Sequence, residues 1–243
     1  MFEIIDDLKA KLDQHRPLSP GIVKNLYEDL ILRWTYHSNA IEGNTLTLLE
    51  TKVVLEGITV GGKALREHFE AINHRDAILY VEDIIKKQEP FSEWQIRNIH
   101  QLILKNIDDE NAGQYRQQNV LIPGATTNPP DYTLLNDKMA QFIDWYNTEA
   151  HNLHPVERAA KVHADFVGLH PFVDGNGRTS LLLMNLELLK SGYPPSVITV
   201  ENRLAYYEAL DQWVAYCKTI PFINLVVGVV QDGFKPYQMV LGI

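Results

Sequence analysis

At 243 residues, with 45% apolar side chains and a slightly negative mean hydropathy, the chain is long enough to bury a sizeable core. A formal charge of −9 argues against nonspecific attachment to nucleic acid or to an anionic membrane surface. The single cysteine, Cys217, excludes an internal disulfide, and neither a basic-flanked apolar leader nor a membrane-length apolar run is present; a cytoplasmic protein is expected.

Most of the chain reads as helix. Phe2 to Leu12 is a short amphipathic segment that Pro17 and Pro20-Gly21 interrupt. Ile22, Leu26, Leu30 and Trp34 carry helical spacing to about His37, and Gly43-Asn44 supplies a C-terminal stop. Thr47 with Glu50 predicts a capping box opening a helix to about Glu56. Residues 57–62 form a connection, and a long pattern runs from Lys63 to Lys87 through Phe69, Ile72, Ala77, Val81 and Ile84. Ser92 with Gln95 predicts a second capping box, opening a helix through Ile99 and Ile103. Between Asp108 and Asp131 the character changes to strand and turn residues. Val120-Leu121-Ile122 followed by Pro123-Gly124 and Pro129-Pro130 predicts a small β-hairpin. Helices resume over about Leu134–Glu149 and from His154-Pro155 to Leu169. Another begins at the Gly175–Arg178 stretch and ends before Gly192 and Pro194-Pro195. Asn202 to Cys217 and a segment opened by Pro221 complete the set, with Cys217 expected as a buried thiol. The fold class expected is all-α, with a hairpin beside the site.

The chemistry concentrates in His170-Pro171-Phe172-Val173-Asp174-Gly175-Asn176-Gly177-Arg178. Two glycines bracket an asparagine just before an apolar helical run. That leaves backbone N–H groups unpaired at a helix start, where the macrodipole is positive, and the place suits an anion. Arg178 adds a permanent positive charge. Asp174 would repel a phosphate unless a divalent cation stood between them, and Mg²⁺, which takes one or two carboxylates plus phosphates, fits. His170 is the side chain that takes up a proton near neutral pH without special tuning. Base, cation ligand and anion cradle together read as phosphoryl or nucleotidyl transfer. Competing chemistries fare worse. His151, His154, His163 and His170 show no H-E-x-x-H spacing, no G-x-S-x-G elbow occurs, and a P-loop is absent.

At these residues the sequence resembles the Fic family, whose signature is H-x-F-x-D/E-G-N-G-R-x-x-R. It matches through Arg178, and Leu181 stands where the final arginine falls. Residues 113–116, the expected hairpin, His154-Pro155-Val156-Glu157 and Tyr193-Pro194-Pro195 also look like that family's surroundings. The resemblance implies a Fic fold, a helical bundle that moves AMP from Mg·ATP to a Ser, Thr or Tyr hydroxyl of a target protein and to itself. His170 would deprotonate the hydroxyl and Phe172 would anchor the loop in the core. Asp174 would hold Mg²⁺, and Gly175, Asn176, Gly177 and Arg178 would receive the phosphates. Val120, Leu121 and Ile122 resemble the flap on which the target docks as an added strand. Tyr206 resembles the adenine-pocket tyrosine, with an ordinary core aromatic as the alternative.

Ser38-x-x-x-Glu42-Gly43 matches the family's inhibitory pattern, in which the glutamate excludes the γ-phosphate by like charge. Its place ahead of the catalytic stretch resembles the class that carries its own inhibitory helix. Residues 1–62 are thus expected to form an N-terminal inhibitory region and 63–243 the catalytic core. ATP and Mg²⁺ are the expected nucleotide and cation, and a hydroxyl-bearing protein the expected partner. Nucleic acid and membrane are not expected partners, and a homodimer stays open. Leu181 can make neither ion pair expected of an arginine there, which leaves two alternatives to adenylyl transfer open: removal of AMP or transfer of another phospho-group, and an inactive binding module.

Overall fold

The run from Asn176 to Lys190 buries residues on every side, and a helix apolar all round must be enclosed by others. The computed structural model describes residues 1–242. Among them are ten α-helices: α1 (Glu3–Asp13), α2 (Pro20–Ile41), α3 (Leu48–Leu55), α4 (Leu65–Lys86), α5 (Glu93–Leu104), α6 (Leu135–Thr148), α7 (Pro155–Leu169), α8 (Asn176–Lys190), α9 (Arg203–Tyr216) and α10 (Ile220–Leu241). α8 packs on α7, and the pair forms the centre. α4 and α5 pack against α8, α9 and α10 against α7, and α6 covers α7 as well. α2 lies on α3 and α4, and α1 on α10.

Two cores meet across the central pair. Leu181, Met184 and Leu188 of α8 face one that includes Tyr206, Trp213, Phe222 and Val226. Leu182, Leu183 and Leu186 face another built with Val81, Ile96, Phe166 and Phe172. Each fully buried leucine or phenylalanine stabilises by roughly 1.5–3 kcal/mol relative to exposure. The N-terminal helices join these same cores: Ile5, Leu12 and Ile41 belong to the first and Trp34 to the second.

Local signals act largely as expected. Thr47 Oγ1 accepts from the Glu50 N–H (3.2 Å) while Glu50 accepts from the Thr47 N–H (2.8 Å), so the first capping box forms. α2 stops at Gly43, whose φ of +100° only glycine adopts without strain, with the Asn44 N–H closing on the Asn39 carbonyl. At Ser92 the expected box is not made. The Ser92 hydroxyl pairs with the Gln95 side chain, whose amide donates to Glu89, so the pair is satisfied among side chains and not by the helix N–H groups. Cys217 is exposed, contrary to the expectation of a buried thiol: α9 ends at Tyr216, and Cys217 caps it in a left-handed conformation.

The expected hairpin is the larger departure. No strand occurs among the described residues, and Val120, Leu121 and Ile122 lie in a loop, Leu121 with 77% of its surface exposed. Pro123, Pro129 and Pro130 cannot donate to a ladder. Side chains satisfy the two arms instead. Asn119 donates to Asp131 and accepts from the Tyr132 N–H (both 2.9 Å), Arg116 reaches both arms, and Asp211 of α9 accepts from the Thr126 N–H (2.7 Å) at the tip. An isolated two-stranded ribbon is marginal without such bracing.

Candidate active site

Loop 170–175, between α7 and α8, gathers the site. His170 closes α7 in the left-handed region (φ +46°), a conformation costing a non-glycine residue of order 1–3 kcal/mol. Its backbone is held on both sides: its N–H donates to the Phe166 carbonyl (3.0 Å), and Arg116 Nε donates to its own carbonyl (2.9 Å). Two residues on, Phe172 is fully buried and stacks on His100 with centroids 3.5 Å apart. Asn176 turns its side chain back on that phenylalanine, accepting from the Phe172 N–H (3.0 Å) and donating to its carbonyl (2.9 Å). Its side chain therefore braces the loop, and only its backbone is left for an anion.

The geometry explains the glycines. Gly175 is the N-cap of α8 at φ +75°, and a Cβ there would stand 3.1 Å from Ile103 Cγ2 and 3.3 Å from His100 Cδ2. At Gly177 a methyl group would overlap the Glu42 carboxylate. The last turn of α2 thus delivers Glu42 onto the first turn of α8, where N–H groups lack intrahelical partners. Ser38, one turn earlier, is buried. Glu42 keeps an exposed surface while protein surrounds it on most sides, so it stands in a cleft. Burial raises its carboxyl above the usual range; Arg178 and Arg203 oppose this, and Asp174 and Glu70 reinforce it.

Charges around the cleft form a network. Arg178, 3% exposed, lies 3.4 Å from both Glu70 Oε1 and Asp174 Oδ1. Arg66 pairs with Asp174 Oδ2 and, at 3.0 Å, with Glu70. Glu70 also accepts from Asn44 Nδ2 (2.8 Å), just past Glu42. Burial pushes the Asp174 carboxyl upward, but Arg178, the Gly175 N–H and Arg66 outweigh it, and the net direction is down. Asp174 is therefore a carboxylate, 42% exposed, with one oxygen taken by the Gly175 N–H (2.6 Å) and the other facing the exposed, displaceable Arg66. That fits a divalent cation shared with phosphates. No group of three or more His, Cys, Asp or Glu among the described residues would hold a metal unaided, so such a cation would need the nucleotide's oxygens and water.

His170 is lowered to about 4, chiefly by burial, and is neutral at physiological pH. Its Nδ1 is buried, so Nε2 is the nitrogen a substrate can reach. Neutral His100 is fixed by its partners. Its Nδ1 accepts from the Gly113 N–H (2.9 Å) and its Nε2 donates to the Asp174 carbonyl (2.8 Å); burial holds it at about 4.

Tyr206 does not reach the cleft. It is 1% exposed, its hydroxyl meets His163 Nε2 at 3.1 Å, and no face is open to a purine. The next residue, Tyr207, lies at the cleft: its hydroxyl donates to the Ile41 carbonyl (3.0 Å) beside Glu42, and Arg203 stands 5.4 Å from its ring. Leu181 is 2% exposed in the core. Sequence reasoning gave no role to His100, Arg66, Glu70, Arg116 or Tyr207, since each lies far along the chain from loop 170–175. The Tyr206-Tyr207 pair was the one usable signal. A cavity of about 510 Å³ lined by Trp145, Glu157, Trp213 and Cys217 shares no residue with this cluster.

A model of the Fic/DOC family matches residues 90–188. The chain is 37% identical over 229 residues to protein adenylyltransferase Fic of Nematostella vectensis, which covers 92% of this chain and 53% of that protein. It spans about half the length of the curated relatives it matches. Among solved structures it is similar to Fic-1 (residues 134–508) of C. elegans, with TM-score 0.89 and 31% identity over 99% of this chain and 72% of that one. It is also similar to a Fic domain containing signalling protein of Bacteroides thetaiotaomicron, with TM-score 0.91 and 30% identity over 98% and 97% of the two chains.

Proposed function

Because the chain belongs to the Fic/DOC family, we propose that it is a protein adenylyltransferase that moves AMP from ATP to a Ser, Thr or Tyr hydroxyl of a target protein and of itself. The observation that carries this reading is the His170 imidazole, neutral and with Nδ1 buried, beside a helix start that also presents Arg178 and Asp174. His170 Nε2 takes the proton of the attacking hydroxyl. The hydroxyl oxygen bonds to the α-phosphorus, and the bond to pyrophosphate breaks. Backbone N–H groups of Gly175, Asn176 and Gly177, with Arg178, stabilise the charge that gathers on the phosphates. Asp174 holds Mg²⁺, which supplies charge neutralisation when bound. The target lies along loop 118–130 at Val120, Leu121 and Ile122, which form no ladder with the opposite arm.

Glu42 keeps the enzyme at rest. Its carboxylate sits against Gly177, on the helix turn that receives phosphate, so nucleotide and glutamate compete. With Leu181 in the core, the cations near Glu42 are Arg178 and Arg203. Residues 1–62 act as the inhibitory region and 63–243 as the catalytic core. Incubation with α-labelled ATP and Mg²⁺ tests both halves of the reading. Glu42→Gly should label itself strongly, wild type weakly and His170→Ala not at all. Equal, negligible labelling of all three contradicts it.

A further inference from the structure

Arg116 is a buried cation whose partners are carbonyl groups on three separate segments. Its Nε donates to the His170 carbonyl (2.9 Å), its Nη1 to Gln118 O (2.9 Å) and its Nη2 to Pro130 O (2.5 Å). Its own N–H donates to the Pro171 carbonyl (2.9 Å). One planar fork thus spans the catalytic loop and both arms of the docking loop, which have no ladder between them. Burying a charge is expensive, and burial lowers the guanidinium's own pKa, so a side chain needed only to fill space would be apolar.

We propose that Arg116 is a positioning residue for transfer: it fixes the distance between a target segment on loop 118–130 and the imidazole of His170. The proposal rests on the transferase reading above. The His170 carbonyl sets the orientation of that residue's peptide, and holding it keeps the left-handed conformation that aims the ring. Gln118 O and Pro130 O set where the docking arms stand. Without the fork, the bond from the residue 116 N–H to the Pro171 carbonyl remains, but the acceptor hydroxyl and its base are no longer held in fixed register. Loss of register at about 1 Å is worth roughly 100-fold in rate. The phosphate end is served by other groups, since Arg116's partners lie on the loop side of His170 and not on the first turn of α8.

The test uses the Glu42→Gly protein, with and without Arg116→Lys, and measures self-labelling rate against ATP concentration. Lysine keeps charge and stem but has one nitrogen, which cannot reach three carbonyls at once. The maximal rate should fall about 100-fold, while half-saturation by ATP and calorimetric binding of Mg·ATP stay within about twofold. In Glu42→Gly/Arg116→Ala, millimolar guanidinium should restore part of the rate and ammonium should not. An unchanged maximal rate, or ATP binding lost in step with rate, overturns the proposal. So does an Arg116→Ala protein that guanidinium does not rescue. Failure of Glu42→Gly itself to label overturns the transferase reading and this proposal with it, whereas labelling that survives Arg116→Lys overturns this proposal alone.

Discussion

His74 and His163 are buried and held at about 3, in both cases chiefly by desolvation, and His100 at about 4. These native-state values lie below the ordinary 6.5, so the unfolded chain takes up protons first as pH falls. Stability is therefore full above about pH 6.5 and is lost as pH drops through that value toward the native ones, by up to ~1.4 kcal/mol per pH unit for each group. Urea unfolding at pH 7.5, 6 and 5 should show a midpoint that falls steadily; a flat profile would mean that these imidazoles are not buried neutral. At this scale the site was partly legible. His170, Asp174, Gly175, Gly177 and Arg178 are neighbours in sequence, so their types and spacing speak for themselves. Arg66, Glu70, His100 and Arg116 reach the same place only through packing. His100 sits amid Ile96, Ile99 and Ile103, where a local reading makes it a core residue. Tyr206 and Tyr207 are adjacent and both aromatic, and only the fold shows which one α9 turns to the cleft.

α8 is the wall between two cores, and its first turn is the proposed seat of the phosphates. Leu182 is fully buried on its side of that wall, and Leu182→Ala should cost ~2–5 kcal/mol of unfolding free energy. A loss below about 1 kcal/mol, read from the urea midpoint, would deny α8 its central place. Helix boundaries were readable because capping residues, prolines and glycines mark them: Thr47-Glu50, Pro155, Gly43 and Gly175 all act where the sequence puts them. The expected hairpin fails to form for a physical reason. Val120 to Ile122 has strand propensity, but strand formation needs a partner with free donors, and the opposite arm carries Pro129 and Pro130. Arg116, Asn119 and Asp211 then satisfy backbone groups that a ladder would have used. An arm left without a ladder suits the proposed addition of a target strand.

Across the whole molecule, the N-terminal helices are packed into the same cores as α7 and α8, the helices that flank loop 170–175. Ile41, the last residue of α2, is fully buried beside Tyr206 and Phe222, and the Glu42 side chain follows at once. The position of the glutamate is thus set by core packing, by the Tyr207 hydrogen bond to Ile41 and by Asn44 on Glu70. No helix among the described residues is long and apolar enough to cross a membrane. The all-α class and the element order were legible from periodicity, but the approach of α2 to α8 was not, because nothing in local sequence says which helix end meets which. The proposed transfer requires a nucleotide tail seated at the start of α8 with an imidazole beside it. A crystal structure of Glu42→Gly with ATP and Mg²⁺, set against wild type soaked in the same way, tests this most directly. Phosphates are expected on the N–H groups of residues 175–177, the cation on Asp174 and His170 Nε2 facing the α-phosphorus, with wild type binding less nucleotide. Nucleotide bound elsewhere, or a His170 ring turned away into the interior, would contradict it.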